Sequence, residues 1–278
     1  MTATTILAPS NLDELTQCRP IAGVAPEPAV RLVGGGTLEI PRWHAEGAPR
    51  YGIHLGALPE LLVHGPDRCG AGRTLAQIAT DPALPQLLRQ IAGACATPTI
   101  RNLATLGGNL AACRPGCLAV ALLALDATVT ILRGDGRLAA VPVGEIVHNG
   151  FGSDSRCPDV LVEAGWRNPP AVSSSRRLTL QAGSGPVLAT VAVAAHRRRE
   201  RLHWAVAAGG TGVRPQRLPA LERLLDAGAP AGKAQAAAGH HVIVRPSAGQ
   251  SGDEDYLRHL VGVLVGRAVQ DARTEETR

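Results

Sequence analysis

The sequence predicts an α+β protein of about two domains, and three observations lead there. Its 278 residues exceed one small domain and can bury a sizeable core. Short apolar runs bounded by turn residues alternate with longer runs whose apolar residues recur every three or four positions, so strands and helices are interleaved. A stretch rich in Pro, Ser and Arg at 167–177 reads as a linker before a separate C-terminal part.

In chain order, Thr4 to Leu7 is expected as a strand, followed by a turn at Pro9-Ser10-Asn11. Asn11 caps the next short helix, with Glu14 in the capping-box position. Arg31-Leu32-Val33 forms a strand feeding the triple glycine Gly34-Gly35-Gly36. Tyr51 to Leu55 is a further strand, Asp67 to Gly72 belongs to the next unit, and Thr74 caps a helix over Leu75 to Ala79. Asp81-Pro82 has the form of a helix start, an acid before proline at the first helical position. Leu84, Leu87, Leu88, Ile91, Ala92 and Cys95 then mark one apolar face.

That helix leads into Thr99 to Ala111, where Gly107-Gly108 are expected in a turn of positive φ with its N–H groups facing a ligand. Leu118 to Leu125 is a buried apolar helix, and Ala127–Leu132 with Arg137–Val141 form a hairpin about Gly134-Asp135-Gly136. Val160 to Val162 closes this part as a strand. Beyond the linker, Val187–Ala195 and His203–Ala208 pair as strands, Arg217 to Asp226 is a helix, and Ala227 to Gly239 is a flexible Ala/Gly segment. The last helix starts near Asp253 and carries Leu257, Leu260, Val261, Leu264, Val265 and Ala268 on one side. The charged tail after Asp271 frays.

Composition narrows the function. Aromatics make up 2% of the chain, so Leu, Val and Ala must fill the core, and few rings are available to stack bases. The net charge of +5 comes mostly from scattered Arg, which argues against nucleic-acid binding. Six cysteines (Cys18, Cys69, Cys95, Cys113, Cys117 and Cys157) contain no C-x-x-C, so no zinc or iron–sulfur run is expected. His240-His241 lies without acid or Cys ligands nearby, and Cys113 with Cys117 is read as two buried thiols. The N-terminus lacks a signal-peptide pattern and the apolar run Cys117–Leu125 is too short for a membrane span, so a cytoplasmic location is expected.

The two glycine-rich stretches carry a family resemblance. Thr99 to Ala111, with Leu122-Leu123-Ala124-Leu125-Asp126-Ala127 behind it, resembles the second flavin loop of the FAD subunits of molybdenum hydroxylases. That group includes the medium subunit of carbon monoxide dehydrogenase and the flavin domain of xanthine dehydrogenase. Leu32-Val33-Gly34-Gly35-Gly36-Thr37 is similar to the first loop, and Cys69 to Leu75 to the strand-turn between them. Gly209-Gly210-Thr211-Gly212-Val213-Arg214-Pro215 and Asp255-Tyr256-Leu257-Arg258-His259-Leu260 resemble the C-terminal domain. The matches run in family order over nearly the whole chain.

The resemblance implies a p-cresol methylhydroxylase-type FAD-binding domain in two parts, 1–60 and 61–166, then the linker at 167–177 and a smaller α+β C-terminal domain over 178–278. It implies FAD as cofactor. Leu32, Val33, Gly34, Gly35, Gly36, Thr37, Leu38 and Glu39 would give backbone N–H groups to the pyrophosphate. Thr105, Leu106, Gly107, Gly108 and Asn109 would hold its other side, and Leu161 would touch the flavin. Arg101-Asn102 is expected to hold the loop itself. The chain departs from the family at Cys95, Arg114-Pro115, Leu118 and Thr179. His196-Arg197-Arg198-Arg199-Glu200 is expected as a solvated turn.

The expected function is an FAD-binding oxidoreductase component. It would pass electrons from molybdenum and iron–sulfur partner subunits to a small-molecule acceptor: NAD, quinone or oxygen. A free-standing FAD-dependent oxidase or dehydrogenase with its own substrate, or a redox-silent scaffold subunit, are the alternatives.

Overall fold

The computed structural model describes residues 4–22, 30–112, 118–149, 151, 158–181, 184–244 and 254–277. Their strands form three sheets. The first is built from β1 (Thr5–Leu7), α1 (Leu12–Ala22), β2 (Val30–Val33), α2 (Glu39–Glu46) and β3 (Tyr51–His54), in the order β1-β3-β2 and all parallel. Parallel neighbours need crossovers, which α1 and α2 supply. Asn11 caps α1 by accepting the Glu14 N–H at 2.8 Å. The Glu14 carboxylate turns one residue further back than a capping box requires, accepting the N–H and hydroxyl of Ser10 at 2.8 Å each.

The second part contains a 3₁₀ turn at Pro59–Leu61, β4 (His64–Gly65), β5 (Arg68–Gly70), α3 (Leu75–Thr80), α4 (Gln86–Ala94), α5 (Pro98–Arg101), α6 (Leu106–Ala111) and α7 (Leu118–Ala124). It continues with β6 (Thr128–Leu132), β7 (Leu138–Pro142), α8 (Val143–Asn149) and β8 (Val160–Gly165). Its sheet runs β4-β5-β8-β6-β7, antiparallel throughout. The third sheet, β12-β11-β10-β9, is also antiparallel, from β9 (Val172–Gln181), β10 (Ser184–Arg198), β11 (Arg201–Gly210) and β12 (Val213–Arg217). Helices α9 (Pro219–Asp226), α10 (Ala231–His241) and α11 (Glu254–Glu276) follow.

Helix α7 ties the parts together, with every residue from Leu118 to Ala124 buried. It lies in one core with Ala192, Ala194, Ala205 and Ala207 of the third sheet, whose small side chains admit a close helix. Val191, Val193, Val206 and Ala208 alternate to the other face and pack with α9, α10 and α11.

Several expectations are corrected. Half of the expected linker is strand, because Val172 to Arg177 pair with Ala195 to Thr190 of β10. Asp81 does not start α4; it ends α3, and its buried carboxylate accepts from Arg73 Nη2 and His64 Nδ1, both at 2.8 Å. Helix α4 begins later, at Gln86, and its expected apolar face is buried. The Ala/Gly segment is mostly helix α10, whose Ala234 and Ala238 pack in the same core as α11. The charged tail stays helical to Glu276, held by Asp271 on Arg176 at 2.5 Å and by Arg273 donating to the Ala229 carbonyl at 2.7 Å. No helix among the described residues is long and apolar enough to cross a membrane.

Candidate functional site

Strands β2 and β3 end side by side, with Val33 opposite His54, and the chain leaves β2 directly into Gly34. Facing it is the stretch after α5. Thr97 accepts the Ile100 N–H at 3.4 Å, and Arg101 Nη1 donates to the carbonyls of Cys95 and Ala96 at 3.0 and 2.7 Å. Arg101 therefore holds the loop, as the sequence suggested. Thr105 then caps α6 by accepting the Gly108 N–H at 3.1 Å.

The two loops meet through their backbones. A Cβ on Gly34 would lie 2.9 Å from Thr105 Oγ1, and one on Gly35 only 1.7 Å from the Leu103 carbonyl oxygen. Gly36 has φ +69°, a left-handed turn that swings the chain into α2. Gly107 and Gly108 differ from expectation: they are helical residues of α6, without positive φ. What demands glycine at 107 is proximity, since a Cβ would meet Ala71 at 2.9 Å.

Where the loops meet, they border a cleft of about 390 Å³. Gly34, Gly35, Thr74, Gln77, Asn102, Thr105, Gly107 and Gly108 line its polar end. Leu32, Leu55, Leu61, Leu62, Phe151, Val160 and Leu161 make its apolar wall. Asp159 also lines it, but its carboxylate is occupied by Arg133 Nη1 at 2.7 Å and the Gly134 N–H at 3.0 Å. No Lys or Arg lines the cleft among the described residues, so an anion there must be met by amide dipoles.

The two loops offer those dipoles unequally. In the second loop the N–H groups of Leu106, Gly107, Gly108 and Asn109 donate to Arg73 O, Ala71 O, Thr105 Oγ1 and Thr105 O, at 3.0, 2.8, 3.1 and 2.9 Å. In the first loop the N–H groups of Gly34, Gly35, Gly36 and Thr37 find no acceptor among the described residues. Amides left without partners are strong donors to a ligand. The first loop thus has free amides that could meet an anion, and the second packs against it with its own amides already bonded.

Of the expected site residues, Leu32, Gly34, Gly35, Thr105, Gly107, Gly108 and Leu161 border the cleft. Gly36, Thr37 and Leu38 continue the first loop into α2, and Glu39 opens that helix with its Oε2 buried and unpartnered. Val33 and Leu106 are buried behind the loops. Asn109 points elsewhere: its Oδ1 accepts the Leu118 N–H at 3.1 Å, at the start of α7. Among the departures, Cys95 and Leu118 are core residues and Thr179 bonds within β9, donating to the Gln181 carbonyl at 2.6 Å; none of these three lines the cleft. Arg114, Pro115, Cys113, Cys117 and Cys157 lie outside the described residues. Sequence reasoning passed over Leu55, Leu61, Leu62 and Phe151. Phe151, the single phenylalanine of the chain, was the available signal.

Residues 2–164 match the family described as the FAD binding domain in molybdopterin dehydrogenase. The chain belongs to that family. Its cofactor is FAD, and it is the flavin-binding part of an oxidoreductase. The cleft fits that cofactor on its own evidence: it is bordered by Gly34 and Gly35, whose amides find no acceptor among the described residues, and by an apolar wall.

Solved structures agree on the fold. A chain of quinoline 2-oxidoreductase from Pseudomonas putida 86 superposes with a TM-score of 0.81 at 21% identity, covering 98% of both chains. The carbon monoxide dehydrogenase of Hydrogenophaga pseudoflava gives 0.78 at 22% identity, covering 98% of this chain and 97% of that one. That of Oligotropha carboxidovorans gives 0.78 at 20%, with 98% of each covered. No curated protein sequence matches the chain. Among the described residues, no three His, Cys, Asp or Glu side chains come together in a way that could hold a metal ion.

Proposed function

We propose that this chain is the FAD subunit of a hetero-oligomeric molybdenum hydroxylase-type complex in the cytoplasm. It takes electrons from an iron–sulfur partner and delivers them to NAD, quinone or oxygen. The observation that carries the reading is that the cleft is bordered by Gly34 and Gly35, which open a loop whose amides to Thr37 find no acceptor among the described residues, and by an apolar wall that includes Leu161. Those amides would hold the pyrophosphate, and Leu161 with Leu32 would flank the ring. Bound there, FAD supplies the exchange between two-electron and one-electron transfer. The chain's residues bind and orient the cofactor and exclude water from it.

The three sheets support dividing the chain into residues 1–60, 61–166 and a C-terminal part, with β9 assigned to that last part. Cys95, Leu118 and Thr179, where the chain departs from the family, lie away from the cleft and so lend no support to a free-standing enzyme with an altered flavin site.

The test has two arms. Purified protein is expected to be yellow, or to melt higher on adding FAD, because a ligand of the native state raises apparent stability. Affinity isolation from the native host is expected to bring down iron–sulfur and molybdenum subunits. Isolation of the flavin chain alone, from cells making those subunits, would count against complex membership and leave the cofactor standing.

A further inference from the structure

At the far end of β8 from the cleft lies a second concavity, a groove of about 1120 Å³ between the second and third sheets. Its floor follows from strand register. The pairs Ala192/Ala207 and Ala194/Ala205 sit beneath α7, and His196/His203 and Arg198/Arg201 continue the same face. Helix α7 ends at Ala124, whose carbonyl meets His196 Nε2 at 3.4 Å. Past that point the alanine column becomes a basic one, bordered by Pro219, Glu222, Arg223 and Asp226 of α9.

Five carboxylates line the groove beside six arginines, and most of them are committed: Asp226 faces His203 Nδ1 at 3.3 Å, and only Glu163 forms no ion pair among the described residues. Arg217 is committed to Glu222 at 2.6 Å and Asp126 at 3.4 Å, and Arg68 to Asp67 at 3.6 Å. Arg167, Arg197, Arg198 and Arg223 border the groove, and Arg199 and Arg201 extend them along the hairpin tip. None of these six forms an ion pair among the described residues. Burial lowers the His196 pKa, with Arg217 and Arg198 acting in the same direction and the Ala124 carbonyl and Asp126 against it.

This hairpin is built against its own stability in two respects. Arg198 and Arg201 stand directly opposite each other, a like-charge pairing that destabilises a ladder. Arg199 takes φ +56° in the two-residue connection Arg199-Glu200, where glycine or asparagine fits best. The same chain places Gly136 at φ +85° in its β6–β7 hairpin. Local strain without compensation within the fold points to a ligand outside it.

We propose that the groove and the β10–β11 tip form a docking surface for an acidic polypeptide segment of a partner protein. Guanidinium forks suit carboxylates, which they bind through paired hydrogen bonds. A nucleotide or nucleic acid would need exposed rings to stack on, and the two tryptophans here offer none. Trp166 is 4% exposed with its Nε1 donating to the Pro66 carbonyl, and Trp204 is 7% exposed beneath Arg273. The proposal does not depend on which complex the flavin chain serves.

The experiment titrates a labelled deca-glutamate peptide against the full FAD-loaded chain over a salt series. Wild type is expected to bind, more weakly as salt rises. Arg198→Ser/Arg201→Ser is expected to lose roughly tenfold or more in affinity. Arg199→Gly is expected to weaken binding while holding or raising the melting temperature, since glycine relieves the left-handed residue. Arg137→Ser/Arg267→Ser, which removes equal charge outside the groove, should bind as wild type does. FAD content should be unchanged in all of them. Absence of wild-type binding overturns the proposal, as does unchanged binding by the Arg198/Arg201 variant or equal loss in the Arg137/Arg267 control. So does tighter binding of anionic vesicles or single-stranded DNA than of the peptide. If the double variant does not fold, Arg199→Gly decides, and full affinity in it is the refuting result.

Discussion

Gly35→Ala places the smallest possible side chain at the contact between the two loops. The new Cβ would sit 1.7 Å from the Leu103 carbonyl oxygen, 2.4 Å from its carbonyl carbon and 3.1 Å from the Ala104 nitrogen. Folded proteins essentially never bring a Cβ within 3.0 Å of a heavy atom, so the loops must part by at least the difference, 1.3 Å. The obstacle is backbone, and the Ala104 carbonyl beside it accepts the Leu75 N–H at 2.8 Å, so the wall is anchored. Overpacking of this kind costs about 2 kcal/mol, which for a chain of this size lowers the melting temperature by roughly 4–8 °C. The effect on FAD is larger. Hydrogen bonds to a charged group contribute about 1.5–3 kcal/mol each, so misplacing two amides of the cradle weakens FAD roughly 10²–10⁴-fold. FAD titration followed by flavin fluorescence, with thermal denaturation of the apoprotein alongside, separates the two effects. A folded Gly35→Ala protein that binds FAD with wild-type affinity would falsify the assignment of the first loop as the phosphate cradle.

Three further predictions concern residues that do not line the cleft. Asn109→Ala removes the acceptor for the Leu118 N–H and is expected to cost about 1 kcal/mol, leaving FAD affinity within about threefold of wild type; a large affinity loss at unchanged stability would restore Asn109 as a cofactor contact. Asp81→Asn leaves Arg73, whose side chain is 13% exposed, without its anion, and should destabilise the protein by about 3 kcal/mol in urea titrations. Burial pushes the Cys69 thiol up to about 12, so alkylation of native protein near neutral pH should mark Cys18 and spare Cys69 until denaturant is added. Labelling of Cys69 at the rate of Cys18 would show that β5 opens readily.

Much of the fold was legible because periodicity and turn chemistry act locally. Thr74 caps α3 through a full capping box with Gln77, and Gly136 turns the β6–β7 hairpin, as their residue types indicate. The misreadings share a cause, which is tertiary partners overriding a local signal. Asp81 before Pro82 has the sequence of a helix cap, yet Arg73 and His64 draw its carboxylate into the interior. The Ala/Gly run after α9 looks flexible alone, and becomes helix because Ala234 and Ala238 have α11 to pack against. Ser173 and Ser174 suggested a linker, but both are buried within a strand that β10 pairs along its length.

The site shows the same limit at finer grain. Glycine in a sequence says that a side chain is unwelcome, without saying whether the cause is φ, a neighbour or a ligand. The structure separates these causes across residues that read alike. Gly36 answers to φ, Gly35 to the Leu103 carbonyl, and Gly107 to Ala71, to which it also donates its N–H. The second loop therefore gives rigidity, since the N–H groups of Leu106 and Gly107 hold α6 to Arg73 and Ala71 and that of Gly108 is taken by Thr105 Oγ1. Such a wall is what the opposite loop requires. Four amides without internal partners stay presented to an anion only if something stiff stops them from collapsing onto their own chain. On the proposed reading, the second loop would contribute to phosphate binding through its packing against Gly34 and Gly35 more than through its own N–H groups. Substitutions at Gly107 should accordingly act on FAD through displacement of the first loop, with a loss of stability that accompanies the loss of affinity.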